Sequence, residues 1–580
     1  MRLARAPRTA LLAALAAATV AAGWNARTAD ARARVARAER ALRAESPALL
    51  GVSPDGRRLL LRVADARGYH LRVAARGGAV VAETRRGDKA VQAAWRPDGG
   101  AVAFLAPDAE GQGHQPYLWE LATGRIRALP APSTRMPQAL EWDPAGARLA
   151  YLVGTGGGAA TLYVVDAAGG APPREVLRGV DRRSGVAWSP DGRRVAAARE
   201  RPRGDVMAVE PGGRPARLFA ARGAEVRDLA WRADGRALLA VLRPSGAPFF
   251  QLAEAAPGGT PRTLAAPGGD VSGPAYLPGG GVVYHLNRDG ERSPFACRAD
   301  GARCRPLGPA GAGAGVLGLS PAGDSVYLVL RGRTGPPVAE VRALAGGGGR
   351  VMHAPEPAAP GVEGVRVDIP GRDGMMIPAY LWRAPRRPGR APAALIRVHG
   401  GPATQAGRGW DASVQYLVDE GVDVILLNYR GSTGYGAPFE NAPGAGPARV
   451  GDVLTARDYA VRALGVPPRR VVLYGHSYGA LLAARAAARD TTVGRVVLVS
   501  MMADDGESGP AAGAVPASRR VLLFQGGDDP LPPAEAREGA AAILGAAPAL
   551  HALRGEGHVF GRVEAWARVY AAAAALAGEP

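Results

Sequence analysis

Cysteine and lysine are almost absent from this 580-residue chain. There are two cysteines, Cys297 and Cys304, too few for a disulfide-framed mini-protein or a multi-cysteine metal module. Lysine occurs once, at Lys89, among 72 basic residues. The net charge of +20 is therefore carried by arginines scattered among Ala, Gly and Pro, a composition that codon bias suffices to explain. No dense basic block and no RNA-type aromatic signature accompanies them, so no nucleic-acid partner is expected. No Gly-X-Y period runs through the 81 glycines, which excludes collagen, and no heptad array runs through the chain. What is present is globular: 47% hydrophobic and 21% charged residues, over a length that suits two to four domains at about 150 residues each.

Arg2, Arg5 and Arg8 precede an uncharged, Ala/Leu-rich run from Thr9 to Trp24. A basic start, a short apolar core and small residues after it predict a signal peptide or signal anchor over residues 1–25. Cleavage sites at Ala21-Ala22-Gly23 and Ala29-Asp30-Ala31 both fit, and a membrane anchor is the alternative to cleavage. Either way the chain is expected to be exported, to a periplasmic or extracellular location. No later segment is apolar enough to span a membrane. Residues 26–46 predict a helical linker, because 28–45 is Ala/Arg-rich and free of Gly and Pro.

One pattern then recurs seven times: an apolar or aromatic residue, a turn of the Ser-Pro-Asp-Gly type, and an apolar run. The proline, or its equivalent Ala233, falls at 54, 97, 144, 190, 233, 278 and 321. A period near 45 residues with short strands and glycine turns predicts propeller blades of four strands each. Pro presets the turn, Gly supplies positive φ, and the residue before the turn is expected between blades. The reading is a seven-bladed all-β propeller over 47–357. Cys297 and Cys304 flank Asp300-Gly301, a two-residue hairpin signal. A symmetric turn there sets them opposite one another, where a disulfide can form in an oxidising compartment.

From about residue 358 to 580 strand-like and helix-like runs alternate. Eight strands with crossover helices predict a doubly wound, mostly parallel α/β domain. Gly475-His-Ser-Tyr-Gly479 stands between the strand-like Val471-Val-Leu-Tyr474 and the helix-like run from Ala480. That context makes it a nucleophile elbow with Ser477 as nucleophile. The triad order in such a domain is Ser, acid, His. Of the two histidines that follow, His551 lies inside a strand-like run and His558 in a loop, so His558 is the expected base. Asp528 follows a strand through Gly526-Gly527 and is the expected acid, with Asp529 its rival and Asp504 third. Val398-His-Gly-Gly-Pro402 also follows a strand, and the expected oxyanion donors are the N–H groups of Tyr478 and Gly401, with Gly400 as alternative.

A propeller followed by these motifs resembles the prolyl oligopeptidase family of serine peptidases, which includes acylaminoacyl peptidases and dipeptidyl peptidases. The motifs that carry the resemblance, in order, are Val398-His-Gly-Gly-Pro402, Asn428-Tyr-Arg-Gly-Ser-Thr-Gly-Tyr-Gly436, Gly475-His-Ser-Tyr-Gly479, Asp528-Asp-Pro-Leu-Pro532 and Glu556-Gly-His558. The resemblance implies an α/β-hydrolase domain at 358–580 and hydrolysis of short peptides through an acyl-enzyme, with access restricted by the propeller. It favours Asp528 as the acid. Some relatives have a tyrosine at the position of His399, which leaves the Gly401 amide as the donor here. His399 and Tyr478 are the implied substrate-binding residues, and no cofactor or metal is implied. Ser477 and Asp528 are only 51 positions apart, and 506–518 is Gly/Ala/Ser/Pro-rich where relatives carry a longer helical stretch, so a proline preference does not carry over. An esterase using the same residues and a non-catalytic propeller binding protein are the alternative functions.

Overall fold

The computed structural model describes residues 29–43, 48–65, 68–84, 92–107, 114–132, 137–156, 158–201, 203–309, 313–354, 360–443, 445–503 and 519–579. The expected signal or anchor segment lies outside these residues. Among them no helix is long and apolar enough to cross a membrane.

Seven four-stranded antiparallel sheets occupy 48–353, each built from one continuous stretch of chain. The chain forms a seven-bladed propeller. The glycines of the repeated turn, Gly56, Gly99, Gly146, Gly192, Gly235, Gly280 and Gly323, all have positive φ, between 67° and 85°. That is the conformation the Pro-Asp-Gly type of turn demands. The residue before the turn works between blades. Trp142 Nε1 donates to Ala94 O at 3.2 Å, and Trp188 Nε1 donates to Glu141 O at 3.3 Å, each reaching back to the preceding blade. An arginine that follows the turn reaches forward. Arg58 lies over the Trp95 ring, 5.3 Å from its centroid, and donates to Gly99 O at 2.7 Å. Arg148 repeats the arrangement over Trp188 at 4.7 Å, donating to Gly192 O. Such cation–π contacts are worth about 0.5–2 kcal/mol each. The ring closes by side-chain packing: Leu59, Leu61 and Val63 of the first blade share a core with Tyr327, Ala339 and Met352 of the last.

A disulfide joins Cys297 and Cys304, with the Cα atoms 4.1 Å apart. The turn between them is not the symmetric two-residue turn at Asp300-Gly301. Gly301 N donates to Arg298 O, so Ala299 and Asp300 form the corner. Gly301 and Arg303 both take positive φ, and their extra twist brings the strands back into register by Ala296↔Arg305.

Eight strands form the C-terminal sheet: β1 Val365–Pro370, β2 Met376–Trp382, β3 Ala393–Val398, β4 Val422–Leu427, β5 Val471–His476, β6 Arg495–Val499, β7 Arg520–Gly526 and β8 Ala549–Leu553. Their order is β1-β2-β4-β3-β5-β6-β7-β8. β2 runs antiparallel to both β1 and β4, and the remaining pairs are parallel. The central strands are fully buried and mostly apolar, Val-Asp-Val-Ile-Leu-Leu in β4 and Arg-Val-Val-Leu-Val in β6, as a parallel sheet covered on both faces requires. Helices α1 Ala445–Arg462, α2 Tyr478–Arg489 and α3 Pro533–Leu544 pack on one face. α4 Val563–Gly578 covers the other. The helix over 29–43 docks on that second face through Ala38, with Arg37 paired to Glu420 at 2.7 Å.

Candidate active site

The carboxyl ends of β5, β7 and β8 bring three loops together. After β5 the chain turns sharply at Ser477, which has φ 56° and ψ −124°, and enters α2. Such a conformation costs a residue with a Cβ about 1–3 kcal/mol. The two flanking glycines are sterically required. A Cβ on Gly475 would stand 2.1 Å from Gly479 O, and one on Gly479 would stand 2.2 Å from Val398 O. The Tyr478 N–H lies in the first turn of α2, where backbone donors have no intrahelical partner.

His558 Nε2 lies 2.8 Å from Ser477 Oγ, and its Nδ1 lies 2.9 Å from Asp529 Oδ2. A carboxylate only accepts, so Nδ1 carries the proton and Nε2 of the neutral ring accepts from the serine hydroxyl. Asp529 is buried, and its other oxygen accepts the Leu531 N–H at 3.0 Å.

The acid beside His558 is thus Asp529, not the expected Asp528. The reason lies in the backbone. The loop after β7 lies directly on the loop after β8: Gly527 N donates to Leu553 O and Asp528 N to Glu556 O, both at 2.8 Å. A Cβ on Gly526 would fall 2.4 Å from both Glu556 O and Gly557 O, so only glycine permits this approach. With its amide held there, the Asp528 side chain is exposed and that of Asp529 is buried. Asp504 lies outside the described residues, as does the 506–518 stretch.

The Gly400-Gly401 loop follows β3, which pairs with β5 in parallel and so delivers it beside the serine. A Cβ on Gly400 would be 3.2 Å from Ser477 Cβ. Gly400 O accepts from His399 Nδ1 at 2.7 Å and from the Tyr429 hydroxyl at 3.3 Å. The 400–401 peptide is trans, so the Gly401 N–H points opposite to that carbonyl. His399 is occupied on both sides, since Nε2 also meets Ser432 Oγ at 2.9 Å and the ring stacks on Tyr429. It braces the loop from behind, and it also lines a cavity of about 430 Å³ with Arg331, Gln405 and Trp410. The Tyr478 side chain, expected to bind substrate, is buried, and its hydroxyl accepts from Arg449 at 2.9 Å.

Three supporting residues were not singled out from the sequence. His476 donates from Nε2 to His558 O at 3.2 Å. Glu556, fully buried, accepts from Gly561 N and from Arg562 Nε and so closes the loop that carries His558. Asn428, also fully buried, bonds both the N–H and the C=O of Ala406. All three stand inside the quoted motifs, which was the available signal.

Burial lowers His399, His476 and His285 from the ordinary value near 6.5 to about 4. The unfolded chain therefore binds these protons at a higher pH than the folded one does. Stability is full above pH 6.5 and falls as the pH drops towards 4, by up to about 1.4 kcal/mol per pH unit for each histidine. Thermal melts across this window are expected to show a progressive fall in Tm. A flat profile would contradict the neutral buried rings.

Residues 409–500 match the prolyl oligopeptidase family. The chain is 35% identical over 114 residues to an uncharacterized peptidase, YuxL, of Bacillus subtilis (strain 168), covering 19% of this chain and 17% of that one. It is 33% identical over 90 residues to acylamino-acid-releasing enzyme 1 of Oryza sativa subsp. japonica, covering 15% and 12%. These matches span less than a fifth of the curated relatives' own length. A puromycin-hydrolyzing peptidase of Mycobacterium tuberculosis superposes with TM-score 0.77 at 17% identity, over 93% of this chain and 95% of that one, a likeness of fold. The elbow at Ser477 lies within the matched segment, so the chain is similar to the prolyl oligopeptidase family over residues 409–500.

Proposed function

We propose that this protein is an exported serine peptidase that hydrolyses short peptides. Ser477 attacks the scissile carbonyl while His558 takes its proton and passes it to the leaving amine. Asp529 holds the His558 tautomer and stabilises the imidazolium. The N–H groups of Tyr478 and Gly401 stabilise the tetrahedral oxyanion, and water then resolves the acyl-enzyme through the same histidine. The observation that carries this reading is the hydrogen-bonded run Ser477–His558–Asp529 at a strained turn beside the Gly400-Gly401 loop.

Restricted access is supported by propeller contacts on two sides of the site. Tyr69 N of the first blade donates to Gly561 O in the loop that carries His558, at 3.1 Å. Asp289 N of the sixth blade donates to Gly434 O, also at 3.1 Å. Export is supported by the basic and apolar start of the sequence and by the Cys297–Cys304 disulfide.

The test is a mixed library of short peptides incubated with the exported part of the chain and read by mass spectrometry, with and without a serine-directed fluorophosphonate. Peptide cleavage that the fluorophosphonate abolishes is the expected result, and the cut sites define the preference. Turnover of short acyl esters without peptide cleavage would make it an esterase. Neither cleavage nor labelling would leave a binding protein.

A further inference from the structure

Gln405 lies four residues beyond Gly401, on the same loop. Two neighbours on this loop are anchored within the α/β domain: Thr404 O accepts from Thr433 N, and Ala406 is held by Asn428. The Gln405 side chain instead crosses to the propeller. Its Oε1 accepts from Asn287 Nδ2 at 2.8 Å. Its Nε2 donates to Gly290 O at 3.0 Å and to Asn287 Oδ1 at 3.3 Å. Asn287 is 5% exposed and is the penultimate residue of a strand of the sixth blade, Val282–Arg288, which leads into the hairpin turn at Asp289-Gly290.

The surroundings admit little movement. A Cβ on Gly434 would fall 2.3 Å from Gln405 Oε1 and 2.7 Å from Asn287 Nδ2. A Cβ on Gly290 would fall 2.6 Å from the Tyr380 hydroxyl and 2.8 Å from that of Tyr435. The blade-six turn is therefore seated in a close-fitting notch beside the loop, and the paired amides tie the two together. Removing Gln405 takes two bonds from the buried Asn287 amide, whereas removing Asn287 leaves Gln405 its bonds to Gly290 O and, at 3.4 Å, from Thr433 Oγ1.

The geometry points to Gln405 as a positioning residue through which the sixth blade holds the Gly400-Gly401 loop in place beside Ser477. Its kinetic consequence rests on the serine-peptidase reading above; its structural consequence does not. When the propeller is seated, the Asn287 amide fixes Gln405 and with it the 402–406 backbone. Without Gln405 the loop keeps its anchors at 404 and 406 but loses the one on the propeller side, and without Asn287 that anchor is reduced to the bond to Gly290 O. The direction of the Gly401 N–H then becomes less defined.

The experiment uses the full exported chain with Asn287→Ala, Gln405→Ala, both together, and the exchanged pair Asn287→Gln/Gln405→Asn. Hydrogen exchange of the 400–406 amides and kcat and KM for a cleaved peptide are measured for each. Each single variant is expected to speed exchange in 400–406 and to lower kcat by about 10- to 100-fold, with KM changed less than about threefold. The double variant is expected to be no worse than the poorer single variant, because one interaction is lost only once. The exchanged pair rebuilds an amide bridge of the same total length and is expected to recover much of the loss. Unchanged exchange in 400–406, or kcat losses that multiply in the double variant, would overturn the proposal. Faster exchange in a chain that cleaves no peptide would uphold the positioning role and overturn the peptidase reading.

Discussion

Ser477→Ala is expected to lower kcat for peptide hydrolysis by about 10⁶-fold, the scale set by loss of the nucleophile in serine hydrolases. The substitution removes the only atom that can form the acyl-enzyme. It leaves the fold alone for two reasons. Alanine keeps the same Cβ at φ 56°, so the turn is no more strained than before. Ser477 also makes no side-chain capping bond to α2, so the helix start loses nothing. Melting within about 2 °C of the parent is therefore expected alongside the loss of activity, since the only bond removed is the part-buried one to His558. Some catalysis over water survives from the Tyr478 and Gly401 donors. Peptide turnover within tenfold of the parent, measured at matched purity, would remove Ser477 from the mechanism.

The second large effect separates two adjacent carboxylates. Asp529→Asn is expected to cost about 10⁴-fold in kcat, whereas Asp528→Asn is expected to change it by less than about threefold. An amide at 529 presents either an oxygen or an N–H to His558 Nδ1. If it presents the N–H, the ring proton moves to Nε2, and Nε2 no longer accepts from Ser477. Even with its oxygen facing Nδ1, the neutral amide cannot stabilise the imidazolium. At 528 the side chain is exposed while His558 Nδ1 meets Asp529, and the N–H bond from Asp528 to Glu556 O belongs to the backbone and survives substitution. Kinetics of the two variants side by side decide the assignment. A large loss at 528 with a small one at 529 would return the acid to the position read from the sequence.

That pair shows where sequence reading stops. Both aspartates follow the same strand, as the first and second residues past the glycine pair, so neither local pattern nor spacing distinguishes them. The choice is made by a hydrogen bond from Asp528 N to Glu556 O, 28 positions away, and by Gly526, which lets the two loops lie backbone to backbone. The His399 side chain is a similar case. Its place after a strand was legible, but its ring faces Ser432 and Tyr429 because β4 and its following loop lie alongside β3. The hairpin between the cysteines kept the expected pairing and changed its turn, because Gly301 can take positive φ one place later than a symmetric turn needs.

By itself the sequence determined whatever rests on a local steric or periodic rule. Seven recurring turns each need a glycine with positive φ, and that period specifies seven blades. An elbow with no room for a Cβ at 475 or 479 announces itself as Gly-x-Ser-x-Gly. Apolar runs alternating with helix-like segments specify a parallel sheet covered on both faces. The tertiary structure alone decided which aspartate meets His558, how arginines of one blade lie over tryptophans of the next, and which residue ties the propeller to the Gly401 loop. Each of these depends on the direction of one side chain relative to a partner 28 or more residues away. Such a direction is set by the packing of whole elements and leaves no periodic trace in the chain.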